Sequence, residues 1–242
     1  MRKTWIAKIR TDPIWNKKIK VFFVLAISKK DKDKHREVCN KESHNNSDIL
    51  ILDYEDSYEL FTIKMLAIME YFLKRCYYKQ KDLDGAPKIP LIITVTDDSI
   101  IFQNTLIKVL NKLKDKIETD RFVAGRIISL SKWNMIYATG PLYCISPLAV
   151  EEIYEFSRCL TELPYFDDLV ISGKVPLLLN IAFINIPGHS CYTAIPSAFS
   201  TPKALSKLCY LHDYPFTEGQ QYEIWKNVEN YKKLVRLQII LK

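Results

Sequence analysis

A chain of 242 residues has room for one full α/β core, and its formal net charge of +7 is spread along the chain rather than gathered in blocks. The basic stretches Lys29–Lys34 and Lys108–Lys116 are interrupted by acids and lack interleaved aromatics, so nucleic acid is not an expected partner. With only 6 glycines and no G-x-G-x-x-G or Walker-type loop, a Gly-rich phosphate cradle is excluded, and no apolar run reaches the roughly 18 residues of a membrane span.

In chain order, Met1–Asn16 is an aromatic and basic lead. Lys20–Ile27 (KVFFVLAI) predicts a first buried strand, because it is apolar, β-branched and aromatic. Ser28–Asn46 is polar and predicts a helix followed by a loop, and Asp48–Asp53 a second short strand bounded by carboxylates. Asp56 or Ser57 is placed to cap the next helix, Tyr58–Cys76. That helix is apolar over most of its circumference, which predicts deep packing with Met65 and Met69 as core filler. Lys79–Lys88 reads as a polar loop, Leu91–Val95 as a strand ending in an Asp97-Asp98 turn, and Ile100–Leu113 as an amphipathic helix. Arg121–Leu130 predicts a strand. Gly140-Pro141 then predicts a turn, Leu142–Ile145 a strand, and Pro147 a first helical position opening Leu148–Leu160. Pro176–Ile186 predicts another strand, and a helix from Thr217 to Lys233 closes the chain. Strands alternate with helices over the first 115 residues, which predicts an α/β fold with a mostly parallel, doubly wound sheet.

Two acidic pairs, Asp97-Asp98 and Asp167-Asp168, stand at the edges of apolar segments. Carboxylates at the C-terminal end of a strand face the crevice where open α/β sheets bind ligands, and hard oxygen donors suit Mg²⁺ or Mn²⁺ and, through the metal, a diphosphate. One pair would hold the metal and the other supply a general base. The plainer readings are an acidic turn for the first pair and a dipole-favoured first helical turn for the second. His35, His44, His189 and His212 form no zinc pattern, and no G-x-S-x-G elbow is present. The 6 cysteines include no C-x-x-C pair and fit either disulfides or buried thiols, and Asn45-Asn46-Ser47 is a glycosylation sequon.

Several blocks, in order over nearly the whole chain, resemble the β1,3-galactosyltransferase-like family of Golgi hexosyltransferases. Arg2–Trp5 resembles its R-x-T-W opening, and Val21–Ala26 its V-F-x-L-G strand, with Ala26 where glycine is usual. Asp48–Lys64 resembles D-I-L-x-x-D-F-x-D-S-Y-x-N-L-T-x-K. Thr96–Ile101 resembles the metal motif K-x-D-D-D-V-F, Tyr137–Ser146 the acceptor-side strand, and Asp167–Gly173 the block E-D-V-Y-x-x-G. His212 through Trp225 is a looser match to the closing H…W segment.

The resemblance implies an A-type glycosyltransferase fold, Rossmann-like, in one domain over 1–242, with a UDP-sugar-binding half at 1–115 and an acceptor-binding half at 116–242. It implies transfer of galactose or N-acetylglucosamine from a UDP-sugar to a glycan or glycoprotein in β1,3 linkage. Asp168 would be the catalytic base; Arg2, Trp5, Asp97 and Asp98 would bind the donor; Asp98, Ser99 and His189 would take Mn²⁺; Gly140, Tyr143 and Asp167 would lie on the acceptor side. Ser99 stands where the family has a third metal-binding Asp, Val95 where it has Lys, and Asp167 where it has Glu. A serine hydroxyl is a poor ligand for a divalent cation, so the alternative is a weakened or non-catalytic relative that binds glycan or a partner protein. The expected setting is the Golgi lumen, reached through a type II anchor not contained in this chain; the alternative is cytoplasmic.

Overall fold

The structure is a computed structural model and describes residues 4–13, 16, 19–27, 32–55, 57–77, 91–97, 99–131, 134–161, 166–191, 201, 205, 207–213, 219–220, 222–228 and 230. Arg2, Asp56, Asp98 and the loop Lys79–Lys88 lie outside the described residues, as do the side chains of His35, His189 and His212.

The chain opens with α1 (Trp5–Thr11), followed by β1 (Phe23–Ile27), α2 (Lys32–Asn46) and β2 (Ile49–Glu55). β1 and β2 pair in parallel from Phe23↔Ile49 to Ala26↔Leu52, as the strand–helix–strand pattern predicts. Arg10 of α1 donates to Asp48 at 2.6 Å; Asp48 is buried just before β2, so the pair ties the leading helix to this unit. A 3₁₀ turn (Tyr58–Leu60) leads into α3 (Phe61–Phe72) and a π-helical turn (Leu73–Tyr77). α3 buries Thr62, Met65, Met69 and Phe72 at i, i+3, i+7 and i+10, one face only. Phe61 and Ile63 remain exposed, so the helix is half-embedded rather than packed all round.

β3 (Ile92–Val95) precedes a short β4 (Ser99–Ile101) that takes the first residues expected to be helical; α4 then runs Gln103–Leu113. β5 (Phe122–Leu130) and β6 (Met135–Ile145) form a long hairpin, closed beside Asn134 at φ 46°, a left-handed conformation that asparagine tolerates. α5 (Pro147–Arg158) starts at proline, as expected. A helical segment follows: α6 (Asp167–Leu169), a π-helical turn (Val170–Lys174) and α7 (Val175–Leu178). Pro176–Ile186 is therefore not one strand: only β7 (Ala182–Asn185) is extended. β8 (Gly188–Cys191) and β9 (Tyr210–Asp213) come last, and residues 222–228 are helical, within the expected closing helix.

The main sheet has the order β3-β6-β5-β7. β6 is antiparallel to both β3 and β5, and only β7 is parallel to β5, so the sheet is mixed rather than mostly parallel. A smaller sheet, β4-β9-β8, pairs antiparallel then parallel. The alternation of side chains along β6 feeds two cores. Tyr143 and Ile145 join α3, α5 and the Val170–Val175 segment on one face, while Leu142 and Cys144 join α1 and α4 on the other. The result is helix, sheet and helix in three layers.

The expected turn at Gly140-Pro141 is a bulge inside continuous β6. Gly125 pairs with Tyr143 but Ile127 with Ala138, so Arg126 alone faces Thr139–Leu142. Proline has no N–H for the ladder, so a bulge accommodates it where regular pairing does not. Gly125 lets the strands close at this point: a Cβ there would lie 2.6 Å from Ala138 Cβ.

Candidate active site

The bulge turns two backbone groups, Gly140 N–H and Pro141 C=O, toward the segments that carry Asp168 and Asp97. Gly140 N–H donates to Asp168 Oδ2 at 3.1 Å, and Leu169 N–H to Asp168 Oδ1 at 2.9 Å. Pro141 C=O accepts from Thr96 N–H at 3.3 Å and from the Ser99 hydroxyl at 3.3 Å. Residues 140 and 141 are neighbours, so the turn that carries Asp97 and the helix start that carries Asp168 are fastened to adjacent peptides of one bulge. Asp168 and the turn that carries Asp97 are thereby anchored at the same point of β6.

The second pair is strongly shaped by burial. Tyr143, wholly buried, donates its hydroxyl to Asp167 Oδ2 at 3.0 Å. Burial, and then the charge of Asp168, push the Asp167 carboxyl up to about 6; the Tyr143 hydroxyl pulls it part of the way back. Burial also raises Asp168, against the lowering effect of the Gly140 and Leu169 N–H groups. Burial, followed by the nearby Asp167 carboxylate, pushes Tyr143 well above the usual phenol range, which keeps it a neutral donor. Ser172 Oγ donates to Asp168 C=O at 2.8 Å and also to Ala138 C=O, locking the helical segment onto β6.

The first pair is different in character. Asp97 is exposed. Ser99 is 2% exposed, and its hydroxyl is engaged by Thr96 Oγ1 at 2.8 Å and by Pro141 C=O. It thus faces protein oxygens rather than the crevice. The small sheet brings the expected metal-side strands together: Ser99 pairs with His212 and His212 with Ser190, while His189 stands in the row of Leu211 and Ile100. His212, legible in sequence only as part of a loose closing segment, is thus the histidine position directly across from Ser99. Among the described residues no three His, Cys, Asp or Glu side chains converge as a metal centre, and Asp97 is the one described carboxylate of the Asp97-Asp98 turn.

Trp5 packs with Ile101, Leu142 and Tyr210 in the α1-side core. Its buried indole N–H has no partner among the described residues. The same side of the bulge is held by Thr139 Oγ1, 2.6 Å from Tyr210 Oη, with burial pushing the Tyr210 phenol up to about 12.

The layered α/β fold thus carries Asp97 just beyond a sheet strand and Asp167-Asp168 at a helix start. The chain belongs to the Galactosyltransferase family, whose model matches residues 1–135. Trp5, Asp97, Asp98 and Ser99 fall inside that match, whereas Gly140, Tyr143, Asp167 and Asp168 follow it. No curated protein matches the chain. Family membership gives a glycosyltransferase-like function, with a sugar donor and a glycan acceptor in general terms. Among the described residues no helix is long and apolar enough to cross a membrane.

Proposed function

We propose that the protein is an inverting hexosyltransferase that moves galactose or N-acetylglucosamine from a UDP-sugar to a glycan or glycoprotein, forming a β1,3 linkage. The observation that carries this reading is the bulge that fastens the Asp97 turn and Asp168 to adjacent peptides. In the reaction the acceptor hydroxyl oxygen attacks the anomeric carbon, the bond from that carbon to the UDP phosphate oxygen breaks with both electrons leaving on UDP, and the hydroxyl proton passes to Asp168. A carboxylate raised by burial takes that proton more readily than a solvated one. The backbone N–H groups of Gly140 and Leu169 fix its orientation.

On the donor side, Arg2, Trp5, Asp97 and Asp98 are the proposed contacts. Leaving an indole N–H buried and unpaired costs about 1–3 kcal/mol, which an acceptor oxygen of the nucleotide would relieve. A Mn²⁺ ion bound there would supply positive charge to the departing diphosphate. Its carboxylates would be Asp97 and Asp98, with His189 or His212 from the adjoining strands, because Ser99 is turned to Pro141. A Golgi-lumen setting goes with this reading.

Asp168→Asn tests it. Transfer from UDP-galactose or UDP-N-acetylglucosamine should be abolished while UDP binding, measured by calorimetry with and without Mn²⁺, is kept. Surviving turnover removes Asp168 from the base role. Ser99 favours a second reading, a non-catalytic relative that binds glycan or a partner; UDP binding that is undetectable and indifferent to Mn²⁺ would establish it.

A further inference from the structure

We propose that Asn45 is the attachment site of an N-linked glycan, carried at the edge of the β1–β2 unit opposite the ligand-binding ends of its strands. This rests on the Golgi-lumen setting of the reading above and on none of the residues of the candidate active site. In the attachment, the Asn45 amide nitrogen attacks the anomeric carbon of a lipid-diphosphate-linked oligosaccharide. The bond from that carbon to the phosphate oxygen breaks with both electrons leaving on the lipid diphosphate, and one amide proton passes to a carboxylate of the oligosaccharide-transferring enzyme.

Three observations place it. Asn45-Asn46-Ser47 is the one N-x-S/T sequence in the 242 residues, with no proline inside it or directly after it, and all three residues are exposed. The sequon stands where α2 ends. The Ser47 N–H donates to Ser43 C=O at 2.8 Å, and Ser47 then turns left-handed at φ 52°, which stops the helix. The Asn46 side chain is turned back to Glu42 C=O at 3.0 Å. Asn45 lies on the outer side of α2: Cys39 is buried, whereas Val38, Lys41 and Asn45, at i, i+3 and i+7, run together along the exposed side. Helical side chains lean toward the N-terminus, so a glycan on Asn45 starts out over Lys41 and Val38. Val38 is 55% exposed, and the first sugar rings would cover that apolar surface. The topology keeps the glycan out of the way of the reaction. α2 is the crossover between the parallel strands β1 and β2, so its last turn returns to the edge where β2 begins, with the buried Asp48 and then Ile49 following at once. Ligands of such α/β units bind at the other edge, beyond the carboxyl ends of the strands.

The test translates the full chain behind a cleavable secretory leader in the presence of microsomes, with translocation read as protection from added protease. The protected wild type should shift on a gel after peptide-N-glycosidase by the mass of one oligosaccharide, and mass spectrometry should find an acid in place of the Asn45 amide. Asn45→Gln and Ser47→Gly should each lose the shift, and Asn46→Gln, which leaves N-x-S intact, should keep it. Glycine adopts the left-handed conformation of Ser47 more easily than serine does, so loss of the glycan in Ser47→Gly is not a consequence of misfolding. UDP binding by Asn45→Gln should equal that of the wild type. A protected wild-type chain that peptide-N-glycosidase leaves unchanged would overturn the site, and so would a shift that persists in Asn45→Gln. A glycosylated chain that neither binds UDP nor transfers sugar would overturn the transferase reading and leave the glycan site standing.

Discussion

Replacing Ser99 with aspartate writes the family's third metal-motif carboxylate back into the chain, and the structure predicts that this weakens the protein rather than repairing it. Ser99 opens β4 with 2% of its surface exposed, and its hydroxyl donates to Pro141 C=O while accepting from Thr96 Oγ1. A carboxylate there meets a carbonyl oxygen at close range and has the Thr96 hydroxyl as its side-chain donor. Burying an ion carries an effective penalty of several kcal/mol, while a hydrogen bond to a charged group returns about 1.5–3 kcal/mol. The net cost at neutral pH is therefore about 2–4 kcal/mol. For a chain of this size that lowers Tm by about 5–15 °C. Ser99→Ala loses the hydroxyl donor, but Pro141 C=O keeps the Thr96 N–H, so the cost is about 1 kcal/mol.

The pH dependence separates a buried carboxylate from an exposed one. Burial raises the folded-state pKa of the introduced aspartate above its unfolded value of about 3.9. Between those two values the unfolded chain binds fewer protons than the folded one, so stability falls as pH rises. The deficit of Ser99→Asp should be small near pH 5, where the neutral acid can donate to Pro141 as the serine did, and complete near pH 8. Thermal melts of wild type, Ser99→Ala and Ser99→Asp across that range measure it. A Ser99→Asp protein that melts within about 2 °C of wild type at every pH would refute the reasoning. The position would then reach solvent and could offer its carboxylate to a cation.

Two further outcomes follow from the same geometry. Gly125→Ala puts a Cβ 2.6 Å from Ala138 Cβ, 3.2 Å from Tyr143 Cβ and 3.3 Å from Leu142 O, and overpacking of this kind costs about 1–3 kcal/mol, read as a lower urea midpoint at unchanged slope. The raised carboxyl of Asp167, about 6 in the fold against 3.8 for the free group, makes wild-type stability fall between those pH values by about 2–3 kcal/mol. Asp167→Asn should lack that fall, and parallel stability curves for the two proteins would count against the buried placement of this side chain.

Local patterns were legible where one residue's neighbours in sequence are also its neighbours in space. Phe122, Val123 and Ala124 alternate between the two cores as a strand must, Leu106, Leu110 and Leu113 line one face of α4, and Pro147 starts α5. Pro176–Leu178, expected as the start of the strand Pro176–Ile186, is helical because a short apolar run fits strand and helix alike, and here Val175 packs in the core with Pro176 buried beside it. The parallel expectation held for β1 and β2, but β6 enters antiparallel between β3 and β5 through contacts that no local period encodes. The acidic pairs were visible as charges at the edges of apolar runs. That Asp168 is held by Gly140, 28 residues earlier, and that Ser99 turns inward to Pro141, were not, because residue type does not say which peptide a side chain will meet.

The irregularity in β6 explains why those distant residues meet. In an unbroken hairpin the peptides of 139–142 would be engaged by the β5 ladder, and Pro141 could not donate to it. With Arg126 alone opposite four residues, the Gly140 N–H turns to Asp168 and the Pro141 C=O to Thr96 and Ser99, while the Thr139 hydroxyl side chain meets Tyr210 of β9. One bulge therefore joins the small sheet, the helix start bearing the proposed base and the turn bearing Asp97. It follows that Ser99 and Gly140, two residues without ionisable side chains, control the spacing of the carboxylates. A substitution at either should disturb donor and acceptor binding together, whereas a change at Asp97 or Asp167 should disturb one of them alone.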